Sequence, residues 1–289
     1  MTNIEAATDR YCRWLDYQCV EQGELSPLLA RSWRAPDSAG APFTVLKPAS
    51  GRAVYLRLVQ APAHADYRPL RTFGWNAIEI CVNDVHAVAE RMATSPFEII
   101  GPPQAIEGLS AILPMQVRGP DNEIVYFTEI RSDLPDFDLP RASSLIDSLF
   151  ILVMGCSDLA LSREWIKAHL CLDVGRSSMA LVYTMISKAY GQPEATEHVI
   201  ATMIHEKDVF LELDQYPAAA TTRQRQGAFL YPGVSIGTFM HPQFEQVAAN
   251  CEPLWTAPPA VHDSCVYAGR RSATVAAPDG TLFEIVDGH

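Results

Sequence analysis

The chain has 289 residues and carries 22 Lys and Arg against 34 Asp and Glu, a formal net charge of −12, with 48% apolar and 19% charged residues. An apolar fraction near one half excludes a disordered or low-complexity chain. The acidic balance, with no basic run anywhere, argues against nucleic acid and anionic membrane surfaces as partners. At roughly 100–200 residues per domain, the length allows one large domain or two ordinary ones.

The seven cysteines, Cys12, Cys19, Cys81, Cys156, Cys171, Cys251 and Cys265, are scattered, odd in number and form no C-x-x-C pair. They read as reduced, mostly buried thiols of a cytoplasmic protein rather than a zinc site or a disulfide framework. The first eight residues lack the charged-then-apolar order of a signal peptide. The longest apolar run, around 149–153, is far too short to cross a bilayer.

In chain order, residues from the N-terminus onward read directly as a helix with Ala6, Tyr11, Trp14, Leu15 and Cys19 along its apolar side. Residues 73–130 read as a β-α-β-β-β series with its helix over 84–92. Residues 132–143 cluster Asp, Pro and Ser as a linker does. Beyond it, 148–154 reads as a strand and 158–172 as a helix with Ser157 or Asp158 at its N-cap. Strands at 199–205 and 209–214 follow. The last quarter repeats the order, with a strand at 233–239, a helix at 242–250, strands at 265–267 and 272–276, a Pro278-Asp279-Gly280 turn, and a strand at 282–286.

The chain is therefore written twice. Phe73 and Tyr231 open matching apolar runs at an offset of 158, and the same offset separates Pro120 from Pro278 in two turn-and-strand segments. Pro102-Pro103 answers Pro258-Pro259 at 156, and the Leu56 strand answers the Leu211 strand at 155. The expected domains are 1–135 and 143–289, each made of two units of about 60 residues. Projecting the 148–154 strand back by 155 residues lands before Met1, so the first unit is expected to lack its opening strand. That leaves a modified sheet edge, or one filled by another segment or subunit.

Paired β-α-β-β-β units ending in a P-D-G-x-x-x-E strand resemble the vicinal oxygen chelate superfamily, which includes glyoxalases, extradiol dioxygenases, epimerases and antibiotic-resistance proteins. The most specific segments are Ala277-Pro278-Asp279-Gly280-Thr281-Leu282-Phe283-Glu284-Ile285-Val286 and Phe210-Leu211-Glu212-Leu213-Asp214-Gln215-Tyr216-Pro217. The resemblance implies an α+β fold of four βαβββ units paired into two cupped sheets. It also implies a divalent metal held by His at the start of each first strand and Glu in a last strand.

Glu284 and Glu212 match the two Glu positions, but the His positions hold Ser148, Leu149 or Ile151 in one unit and Gly233 or Ser235 in the other. In the first half they hold Trp75 or Ala77, with Tyr126 and Arg57 replacing the two Glu. No cofactor is therefore expected. A divalent metal stays open only through Glu284 and Glu212, as a hard-ion site and not the facial triad of ring-cleaving iron enzymes.

Three functions stay open. The leading one is an enzyme of lyase, isomerase or hydrolase type acting on a small oxygenated, partly aromatic molecule in the C-terminal cup. In it Glu284 is the general base, His198 or Tyr267 the proton donor, and Arg270 the oxyanion contact. Glu212, Ser235, Trp255 and Tyr183 would line the cup, together with Tyr190. The run Gly233, Ser235, Gly237 would leave that cup roomy, or simply mark close sheet packing. The second is a non-catalytic binding or resistance-type protein, and the third a metal-dependent glyoxalase or extradiol dioxygenase. A small molecule is the expected partner, and a homodimer is left open. His205, His241 and His262 are expected as exposed or core-satisfied side chains, and Arg57 as a surface residue or an anion clamp.

Overall fold

The computed structural model describes residues 1–175 and 178–288. Unit one runs α1 (Ile4–Leu15), β1 (Tyr17–Glu24), α2 (Pro27–Ser32), β2 (Pro42–Pro48) and β3 (Leu56–Val59). Unit two is β4 (Gly74–Val82), α3 (Val85–Met92), β5 (Glu98–Gly101), β6 (Ile112–Arg118) and β7 (Ile124–Ile130). Unit three comprises β8 (Ile146–Cys156), α4 (Leu159–Leu170), β9 (Asp173–Val174), β10 (Met179–Val182), α5 (Thr184–Ala189), β11 (Glu197–His205) and β12 (Asp208–Gln215). Unit four has β13 (Ile236–His241), α6 (Phe244–Cys251), β14 (Ala260–Val261), β15 (Arg271–Ala276) and β16 (Leu282–Asp287). The architecture is α+β with four βαβββ-type units in cupped sheets, the first without an opening strand.

Local chemistry sets most boundaries. The Asp158 carboxylate accepts from the Leu161 N–H at 2.9 Å and caps α4, while Asp84 caps α3 through the His86 and Ala87 N–H groups. α4 stops at Leu170 because Cys171 turns left-handed, two residues short of the expected end. α1 ends likewise at Asp16, so its buried side is Ala7, Tyr11 and Leu15; Ala6 is exposed, and Cys19 lies on β1. Two strand expectations shift. β13 starts at Ile236, after a turn over 233–235, and 265–267 is a turn, the strand lying at β14 instead. All seven cysteines are free, but only Cys81, Cys156 and Cys251 are buried.

The sheets do not follow the expected division at the linker. β4 pairs antiparallel with β8, so units two and three form one nine-stranded sheet, ordered β10-β11-β12-β8-β4-β7-β6-β5 with β9 beside β11. Separate domains over 1–135 and 143–289 are thus replaced by a different pairing, because the opening strands of units two and three join across the linker. Units one and four face each other instead. Their sheets, β1-β2-β3 and β13-β16-β15-β14, are separate, since the strand that would join them is the one unit one lacks.

Trp75 on β4 ties the large sheet to the fourth unit. Its ring lies 4.7 Å from that of Phe283, and its Nε1–H donates to the Leu282 carbonyl at 2.7 Å. Gly237 makes this contact feasible: a Cβ there would stand 2.6 Å from the Trp75 ring. The small residue in β13 thus marks close packing against Trp75, not extra room in a cup.

Candidate functional site

The cup between units one and four is built around Glu284, which is 1% exposed. Strand alternation sends Leu282, Glu284 and Val286 of β16 to this cup and Phe283 and Ile285 to the core behind it. Oε1 accepts from Trp33 Nε1 at 3.0 Å, Tyr267 OH at 2.9 Å and Ser272 Oγ at 3.2 Å, and Oε2 accepts from Thr238 Oγ1 at 2.9 Å. Arg57 extends the network. It donates to Tyr267 OH at 3.1 Å and Ser264 Oγ at 2.6 Å, and its guanidinium lies 5.2–5.5 Å from the rings of Trp33, Phe43 and Tyr267. Burial, and then the adjacent Glu284, hold the Tyr267 phenol pKa well above its ordinary value, so its proton stays on oxygen and points at Glu284.

Next to this network lies a cleft of about 1150 Å³ whose two long sides are β3 and β13. It occupies the place of the missing opening strand. Apolar side chains from Leu58, Leu152, Phe210 and Phe239 line it on one side, and Arg57, Thr238 and Glu284 on the other. α2 and Trp33 fill the rest of this cup, packing on Leu230, Tyr267 and Val286.

The cup between units two and three is closed. Tyr183, Met185 and Ile186, at the start of α5, pack with Ala77, Ile151 and Val153 over it. Beneath lie three carboxyl groups, Glu79 and Asp214 buried and Glu212 half-buried. Burial, with help from Glu212, pushes Glu79 up to about 8. Burial likewise raises Asp214 to about 7, with Glu79 adding to the rise and Glu212 opposing it. Burial, and then Asp214, hold Glu212 well above the usual range. Tyr183 OH donates to Tyr126 OH at 2.6 Å and reaches Glu212 at 3.4 Å, and Thr128 donates to Glu79. Neither carboxyl oxygen of Asp214 has a hydrogen-bond partner of normal geometry, and the hydroxyls of Tyr190 and Tyr216 have none either.

The expected site is therefore divided. Glu284 and Tyr267 are brought together, but His198 belongs to the other cup, bonded through Nε2 to Ser187 Oγ at 3.0 Å, so it is no proton donor for Glu284. Tyr183 and Glu212 also lie in that closed cup. Ser235 lines the open cleft, with its hydroxyl turned to the Tyr231 carbonyl at 2.5 Å. Trp255 packs against the main core beside Val275, and Arg270 sits in the turn leading to β15; neither lines the cleft. His241 and His262 are buried but not satisfied as expected: neither ring nitrogen of His262, nor Nε2 of His241, has a hydrogen-bond partner of normal geometry among the described residues, and burial holds both pKa values low.

Trp33, Thr238, Glu79 and Asp214 were not foreseen. Trp33 carried no repeat signal, whereas Asp214, two residues beyond Glu212 on one strand face, was open to the same alternation argument.

A divalent ion fits neither cup. Around Glu284, four donor hydrogens already bond the carboxylate, and the nearby imidazole of His262 packs on the Tyr267 ring at 5.4 Å and makes no bond to Glu284. Among the described residues no group of three or more His, Cys, Asp or Glu is placed to hold a metal.

No family model matches the chain, and no curated protein does. Solved structures do. Glyoxalase I from Zea mays superposes with a TM-score of 0.64 at 14% identity, covering 100% of this chain and 89% of that one. A candidate dioxygenase from Bacillus subtilis superposes at 0.60 and 10% identity, covering 98% and 80%. At such identities the likeness establishes the architecture and leaves the chemistry to the residues. No helix among the described residues is long and apolar enough to cross a membrane.

Proposed function

The chain belongs by fold to the vicinal oxygen chelate superfamily, and from that premise we propose that it binds a small organic molecule in the cleft between β3 and β13. The observation that carries this reading is the contrast between a roomy cleft and a Glu284 held by four donors. Four hydrogen bonds hold Glu284 ionised and in place, three at Oε1 and one at Oε2, and each of them opposes the proton uptake that a general base performs. Tyr267 accepts from Arg57 and donates to Glu284, which leaves it no proton to offer. The network works as a rigid polar wall. Apolar area opposite it supplies affinity, at about 25 cal/mol for each Å² removed from water.

N-phenyl-1-naphthylamine, an apolar dye that brightens on leaving water, tests the reading. It is expected to bind one per chain, and Ile236→Trp, which fills the cleft mouth from the start of β13, is expected to abolish binding while the melting temperature holds. Equal binding by that variant, or none by the parent, would overturn the proposal.

A lyase or isomerase has one observation in its favour: in the closed cup Glu79 and Asp214 hold protons near neutral pH, as general acids do. That reading requires α5 to lift. A Glu79→Gln variant that kept the turnover of any substrate found would defeat it.

A further inference from the structure

We propose that the occupant of the cleft is an extended, amide-bearing chain, a peptide or peptide-like molecule, which docks as the strand unit one lacks. This rests on the cleft being the binding site and names the class of molecule that fits it.

The argument begins with main-chain groups. β3 pairs only with β2, and β13 only with β16, so each strand presents one unpaired edge, and both strands line the cleft. On β3 the Gln60 N–H turns to β2, bonding the Pro42 carbonyl at 2.9 Å. Its neighbours turn the other way: the Val59 carbonyl accepts from the Met1 nitrogen at 2.9 Å, and the Ala61 N–H donates to the Met1 carbonyl at 2.8 Å. Because an antiparallel strand alternates its hydrogen-bonding direction residue by residue, the N–H and C=O of Arg57 and the N–H of Val59 also face the cleft. Open edges of this kind are templates for strand addition.

The bonds from Met1 to the two residues flanking Gln60 are one rung of a parallel ladder. That direction agrees with the repeat. In all three complete units the opening strand runs parallel to the closing one: β4 with β7, β8 with β12, β13 with β16. Where two opening strands meet, β4 and β8, they are antiparallel. An occupant continuing the Met1 rung would run parallel to β3 and antiparallel to β13, with hydrogen bonds on both edges. Its side chains would alternate between the apolar wall of Leu58, Leu152 and Phe239 and the polar wall of Arg57, Thr238 and Glu284. The class is thus an extended chain with apolar groups at every second position and oxygen- or nitrogen-bearing groups between them.

The experiment uses the full chain and a library of capped hexapeptides carrying Val, Leu or Phe at odd positions and Thr, Ser or Gln at even ones. Displacement of N-phenyl-1-naphthylamine is the readout. The best displacer is then remade with N-methyl groups on its odd amides, and separately on its even amides, which removes the donors facing one edge at a time. Displacement by library members, weakened at least tenfold by either methylated set, is the expected result. If the dye binds but no peptide displaces it, or methylation changes affinity less than threefold, strand addition is wrong while the cleft remains a site for compact molecules. A concentration-dependent dimer that leaves the cleft closed to every peptide would also overturn it, in favour of a second copy as occupant. If the dye itself does not bind, the cleft reading fails first and this inference with it.

Discussion

The two cups are made from the same repeat and differ by one strand. Where units two and three meet, β4 and β8 pair and seal the sheet, and the polar groups beneath, Glu79, Glu212 and Asp214, are sealed in with it. Where units one and four meet, the corresponding partner of β13 is absent, and the seam becomes a cleft beside a carboxylate that accepts three hydrogen bonds at Oε1 and one at Oε2. The sealed cup buries its acidic groups under α5, and the open cup has a roomy cleft beside a carboxylate held by four donors. One strand present or absent at the seam thus separates a sealed cup from a cleft.

The comparison can be broken most severely at the linker. Fragments 1–135 and 143–289, expressed apart, are expected to lack cooperative unfolding, because each carries an opening strand and half a cup that need the other. Dispersed amide resonances from either fragment alone would contradict the seam. Next in size, Trp75→Ala removes the ring on which the large sheet and unit four meet, and should cost about 3–5 kcal/mol in urea denaturation. A loss under 1 kcal/mol would mean the two cups are held together elsewhere.

The three carboxyl groups of the sealed cup set a pH dependence above neutrality, to which Glu123, pushed up to about 7 by burial beside the open cleft, adds in the same sense. Glu79, Glu212 and Asp214 have folded pKa values raised above their unfolded ones, so the folded state binds more protons and stability falls as pH climbs. Below about pH 6.5 the buried His198, His241 and His262, whose pKa values are lowered, act in the opposite sense and cost stability as they gain protons. Between pH 6.5 and 8.5 the unfolding free energy is therefore expected to drop by about 2 kcal/mol, and Asp214→Asn to flatten that slope. A curve that stays flat in the parent would show the carboxyl groups to be solvated. The smallest effect belongs to the open cup: Thr238→Val removes one of four donors to Glu284 and should cost about 1–2 kcal/mol in urea denaturation. An unchanged unfolding free energy would show that solvent replaces the Thr238 hydroxyl at Oε2.

Much of this was legible in the residues. Constant offsets between Phe73 and Tyr231 and between Pro120 and Pro278 revealed the repeat, and projecting the third unit's strand backward exposed the missing one. Partner choice between units was not legible, because β4 and β8 are mostly apolar and buried along nearly their whole length, and nothing in such a strand names its neighbour. The site was half legible. Glu284 and Tyr267 lie close in sequence on adjacent elements, whereas Trp33 reaches Glu284 across 251 residues and Arg57 reaches Tyr267 across 210, contacts that no periodicity encodes. His198 was misplaced because a strand's facing can be inferred without knowing which cup it faces.

The contact between Trp33 and Glu284 also sets a timetable. At about 5–20 residues per second of synthesis, the N-terminal helix and strands wait roughly 10–50 s for their partner to leave the ribosome. Through that interval Leu25, Leu29 and Trp33 have no apolar surface to meet, and β3 shows an open edge to any neighbouring nascent chain. The middle sheet can close first, as soon as β8 emerges, and would give the waiting segment a scaffold. A chain whose ends must find each other last is most vulnerable to aggregation early, and its yield in cells should depend on chaperones that shield its first seventy or so residues.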